Sequence, residues 1–101
     1  MSYTKNAIPS GDWLTKSIKQ SRVTVGVTAT PLPATALKDR RLLIVENNSG
    51  VTIYLGDSTV TPTNGFPLAN GTSFSINLDE KVTLYGIEAV GDRDIRVFEG
   101  A

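Results

Sequence analysis

The sequence contains no cysteine and no histidine. The first absence removes disulfide staples and thiolate metal sites, the devices by which small domains compensate for a modest core. The second removes the usual general base, the usual activator of a nucleophile and the commonest metal ligand. Aromatic residues are scarce, at 7% of the chain, so the interior cannot rest on stacked rings. No apolar run approaches the ~18 residues of a membrane span. Met1 to Asn6 lead into Pro9 and Gly11 without the apolar stretch of a signal peptide, so a protein made in the cytoplasm and bound to no membrane is expected.

What remains is one small domain's worth of chain. A domain of 101 residues buries roughly 60–68% of the surface its unfolded chain exposes, and one core is expected. Charge balances overall but not locally. Residues 1–22 carry Lys5, Lys16, Lys19 and Arg22 against Asp12, a net +3, while residues 23–101 carry six basic and nine acidic residues, a net −3. A basic leader on an acidic body suits an acidic neighbouring surface, including a second copy of the body, and equally suits a solvated terminus.

From residue 23 onward, β-branched residues recur with period two and turn residues interrupt them every 8–12 positions. Val23, Val25 and Val27 alternate with Thr24, Gly26 and Thr28. Thr30-Pro31-Leu32-Pro33 stops regular pairing. Arg41 to Glu46 is an unbroken apolar run flanked by charges, which predicts a strand buried on both faces. Asn47-Asn48-Ser49-Gly50 predicts a tight hairpin into Val51 to Leu55. Residues 59–72 read as a loop anchored by Phe66 and Leu68. Phe74, Ile76 and Leu78 alternate with polar residues. Val82 to Ala89 predicts a longer strand with a bulge at Gly86, and Ile95 to Glu99 a last one. The expected fold is all-β: a small antiparallel β-sandwich or barrel of about 6–8 strands over residues 23–101, preceded by an N-terminal arm, residues 1–22, that is extended or forms a short helix. In the helical reading Ser10 caps a helix carrying Trp13, Leu14 and Ile18 on one face, too short to be stable unless it docks.

The chemical candidates are weak. Gly56-Asp57-Ser58 has the order of an esterase nucleophile block, but no histidine exists to accept the hydroxyl proton. Asp79/Glu80 and Asp92/Asp94 are paired carboxylates of the kind glycoside hydrolysis uses, yet both pairs fall in turns, where acids solvate well. Asp92-Arg93-Asp94 offers too few oxygens for Ca²⁺. Lys38-Asp39-Arg40-Arg41 is the one basic cluster of the body, read as a charged strand entrance that blunts an edge. Asn47-Asn48-Ser49 and Asn70-Gly71-Thr72 match glycosylation acceptors but read as turns. The expectation is a non-enzyme with no cofactor, no metal and no nucleic-acid partner. Trp13 stands out, because tryptophan in a polar leader is favoured only where it packs, on a partner or on its own sheet.

Leu37 to Asn48 followed by Val51 to Gly56, then Phe66 to Gly71 leading to Phe74-Ser75-Ile76, then Val82 to Ile87, resemble the small structural proteins of tailed bacteriophage particles. In that group a charged strand entrance, an Asn-Asn-x-Gly hairpin, a Pro-Leu-x-x-Gly loop and a Leu-Tyr-Gly-Ile strand recur in one order. The resemblance covers residues 23–99. It implies a virion component: a head decoration or cement protein that stabilises the capsid, or else a head-fibre or tail attachment module. It also implies a terminal arm crossing capsid subunits and a small homo-oligomer, a trimer being favoured. On this reading Trp13, Leu14, Lys16, Ile18, Lys19 and Arg22 form the protein interface. A carbohydrate- or receptor-binding module, with loops 59–72 and 91–94 as its recognition face, is the alternative.

Overall fold

The computed structural model describes residues 13–101. Eight strands and no helix are formed among them: β1 (Ile18–Val25), β2 (Thr30–Pro31), β3 (Leu42–Asn47), β4 (Ile53–Gly56), β5 (Phe66–Leu68), β6 (Thr72–Ile76), β7 (Tyr85–Ile87) and β8 (Arg93–Gly100). They build two four-stranded sheets, ordered β1-β8-β3-β6 (sheet A) and β2-β7-β4-β5 (sheet B), with every pairing antiparallel. The expected all-β sandwich is the fold.

Period-two alternation sends one side of each strand inward. Val25, Leu43, Val45, Ile95 and Val97 of sheet A meet Ile53, Leu55 and Leu68 of sheet B, and Leu32 joins them from the segment after β2. Phe74, Ile76, Leu78 and Leu84 close the margins. Such aliphatic interdigitation supplies the burial that the few aromatics cannot.

Several local expectations are corrected. Asn47–Gly50 does not close a hairpin: β3 pairs with β6 and β8, β4 pairs with β5 and β7, and the turn carries the chain from one sheet to the other. The buried Asn47 side chain makes this crossing. Its Nδ2 donates to Val51 O and Leu68 O, both at 2.8 Å, and its Oδ1 accepts from Ser49 N and Oγ at 3.0 and 2.7 Å. Gly50 beside it has φ +96°, which a side chain would resist.

Gly86 is no bulge either. Its register against Thr30 and Leu55 is continuous, and it faces the core, where a Cβ would lie 3.1 Å from Leu32 Cδ1. The close approach of Leu32, with Ile53 and Val25 already at ordinary contact distance, and not a kink, favours glycine there. Within the expected loop 59–72, Phe66–Leu68 pairs as β5. Leu68 is buried as expected, whereas Phe66 stays exposed and rests its ring on Phe74, with centroids 5.6 Å apart.

The leader enters the sheet earlier than residue 23. β1 begins at Ile18, and just before it Lys16 N and Ser17 N donate to Ala101 O while Ala101 N donates to Ser17 O. Ser10 lies outside the described residues. Of the helix it would cap, Trp13–Ser17 is irregular and Ile18 is strand, because pairing with β8 satisfies backbone groups that a two-turn helix leaves orphaned.

Candidate functional site

Among the described residues no further layer covers the outer face of sheet A. Strand register arranges its side chains in rows. Ile18, Gly100 and Leu42 make the first; Gln20, Phe98, Ile44 and Ser75 the second; Arg22, Arg96, Glu46 and Ser73 the third; Thr24 and Asp94 the fourth. One end of the face is therefore apolar and the other charged. Leu14 lies over Gly100, in the space where any side chain at that position would stand. Leu42, Ile44 and Phe98 are half-buried, and Ile18 is 62% exposed. Gln20, Arg22, Ile44, Arg96 and Phe98 bound a shallow depression across β1, β8 and β3.

This face corrects the reading of β3 as buried on both sides. Sheet B covers Leu43 and Val45, whereas nothing among the described residues lies over Ile44. β3 is also an inner strand of its sheet, so the charged cluster before it blunts no edge. Arg40 of that cluster is buried instead. Its Nη1 meets Glu99 Oε2 at 3.0 Å, and its remaining donors reach the carbonyls of Leu78, Asp79 and Val82. The pair ties both loops at this end to β8.

The six expected interface residues are divided by the fold. Leu14 and Ile18 join the apolar rows. Trp13 is 60% exposed beside them, its carbonyl accepting from Arg41 Nη1 at 3.2 Å. Arg22 belongs to the charged row and lies 4.0 Å from Asp94. Lys16 pairs with Asp39 at 3.1 Å, at a well-solvated position. Lys19 alternates to the opposite side of β1, next to Pro31, Pro33 and Thr35. Leu42, Ile44 and Phe98 were missed by the sequence reading. Their signal was present in the uninterrupted run Leu42 to Val45 and in Phe98 occupying a polar slot of the alternation Ile95, Val97, Glu99.

Three of the four paired carboxylates accept hydrogen bonds within the fold. Asp79 Oδ1 accepts from Lys81 N and Glu80 Oε1 from Asp39 N; Asp94 Oδ1 accepts from Thr24 Oγ1. Asp57 is held below its usual ionisation range by the Thr59 hydroxyl and then the Thr59 N–H, the pattern of a turn acid. The two loops of the alternative recognition face line different depressions. Asp92, Arg93 and Asp94 gather with Glu46, Asn48 and Ser49, whereas Thr59, Val60 and Asn64 gather with Asp57.

No protein family matches the chain, and no curated protein is significantly similar to it. The geometry of sheet A therefore carries the functional argument together with the resemblance noted above.

Proposed function

We propose that the protein is a non-catalytic structural component of a tailed-phage particle, a head decoration or cement protein that grips capsid subunits. The contact surface is the apolar end of sheet A's outer face with the segment Trp13–Ile18 running into it. The observation that carries this reading is that Ile18, Leu42, Ile44 and Phe98 sit side by side in adjacent register rows with no covering layer among the described residues.

Burying an apolar side chain of this size contributes roughly 1.5–3 kcal/mol, so a few such residues with Trp13 suffice for a reversible clasp. The adjoining row of Arg22, Arg96 and Glu46 supplies orientation, since misplaced like charges are rejected. A clasp of this kind strengthens a seam between subunits without covalent bonds. Small homo-oligomers, as in the resembled group, would multiply the contact.

The test is co-sedimentation with phage heads assembled without the protein. Ile44→Glu and Trp13→Ala/Ile18→Ser should each weaken binding at least tenfold, while Thr63→Glu, in the exposed loop between β4 and β5 of sheet B, should bind normally. Equal binding by all of them would remove this face from the contact. Truncation should stop before Lys16, because Lys16 and Ser17 hold Ala101 by backbone bonds.

A further inference from the structure

β1 is an eight-residue edge strand containing neither proline nor glycine. Of the other edges, β2 has two residues and ends in Pro31, β5 has three with Pro67 at its centre, and β6 is a shorter strand of five residues, Thr72–Ile76. Long, regular, open edges are templates for another strand, and proteins that avoid pairing interrupt them.

The ladder shows which groups are free. Ser17 and Ala101 exchange both backbone bonds, so in the antiparallel alternation Lys19, Ser21, Val23 and Val25 point their N–H and C=O groups at β8. Ile18, Gln20, Arg22 and Thr24 point theirs away. Among the described residues no backbone partner meets these four, which together offer four donors and four acceptors along one line. Below the edge runs an open groove between β1 and the Pro31–Thr35 segment.

We propose that a second copy of this chain pairs there, β1 against β1 about a two-fold axis at Ser21, joining the two A sheets into one of eight strands. Register follows from three requirements. Outward-pointing residues must face outward-pointing residues, the overlap must be long, and like charges must not oppose. With the axis at Ser21, Gln20 of each copy faces Arg22 of the other, Ile18 faces Thr24, Lys19 faces Val23 and the two Ser21 residues meet. Moving the axis to Arg22 sets two guanidiniums against each other. Moving it to Gln20 shortens the overlap and places Ile18 against Arg22.

The two outer faces then form one continuous surface, with the apolar rows of each copy at opposite ends. On this proposal the assembly is even-numbered, unlike the trimer that the resemblance implies. The pairing needs no third partner, so its outcome is independent of particle binding.

Sedimentation equilibrium of the full chain should give a dimer. The chain lacks cysteine, so Ser21→Cys adds one thiol whose partner across the axis is itself, in a non-hydrogen-bonded pair whose Cβ atoms lie roughly 4.5 Å apart. Mild oxidation should convert that variant to a covalent dimer far faster than the control Ser73→Cys on β6. Gln20→Glu, opposite Arg22, should tighten the dimer and Gln20→Lys loosen it, each roughly fivefold because two pairs change at once. Both are exposed substitutions that leave the fold intact, checked by thermal melting. A monomer or a trimer at 100 µM, cross-linking no faster than the control, or indifference to the charge at position 20 would each overturn the proposal.

Discussion

Arg40 and Glu99 form a salt bridge of 3.0 Å inside the sandwich, with side chains 2% and 0% exposed. Glu99 Oε2 also accepts from Leu37 N at 2.9 Å, and Arg40 spans three carbonyls of the 78–82 loop. Glu99 Oε1 is buried without a hydrogen-bond partner among the described residues. Such a pair is costly to desolvate, and removing one member strands a buried charge.

Arg40→Met should therefore destabilise the protein by about 3–5 kcal/mol in urea unfolding, whereas Arg40→Met/Glu99→Met should recover a large part of that loss. Similar losses in the single and double variants would show that the backbone carbonyls, not the charge pair, set the cost.

Asn47→Ala removes both donors that cap Val51 O and Leu68 O at the crossing between sheets. Val51 O keeps Ser49 Oγ at 3.2 Å, so the loss falls chiefly on the buried bond to Leu68 O, and depriving a buried carbonyl of its donor costs about 1–3 kcal/mol. Equilibrium denaturation should show it, and amide exchange should rise first at Ser49 and its neighbours. Asn47→Asp should fail to rescue, because a carboxylate supplies no donor.

Gly86→Ala should cost about 1–3 kcal/mol by crowding the end of Leu32, with Gly86→Val worse. Gly91→Ala, in open space, should be close to neutral. Comparing their thermal midpoints separates close packing from a general intolerance of glycine replacement.

Glu88 is held below its ordinary ionisation value of 4.5 by the backbone N–H groups of Gly91 and Val90, with Arg93 assisting. A lowered folded-state value means that its stabilisation is complete above pH about 4.5 and is lost as pH falls through the lowered value. Glu88→Gln should melt earlier than the native protein at pH 7, and the difference should shrink between pH 5 and 3. A gap that stays constant would place the effect in packing.

Much of this was legible in local pattern. Val23/Val25, Phe74/Ile76 and Ile95/Val97 alternate as half-buried strands must, and each sends those residues inward. The turn at Asn47–Gly50 was legible as a turn but not as a crossing, since the same residues suit either and only the pairing of β3 with β6 and β8 distinguishes them. Of the candidate site, Trp13, Leu14 and Ile18 were recognisable as apolar residues in a polar leader. Their neighbours Leu42, Ile44 and Phe98 come from strands distant in sequence, and only register aligns them.

Local chemistry alone determined that this chain is all-β, that it relies on aliphatic packing and that it has neither a histidine nor a thiol for catalysis. Tertiary structure decided that residues 18–22 belong to the sheet, that among the described residues β1 is an open edge and β3, inside sheet A, has one face uncovered, and that Arg40 is interior. The reason is physical. A two-residue period states which side of a strand seeks burial, whereas neighbours and edges depend on hydrogen bonds between distant segments, whose formation is a property of the whole sandwich.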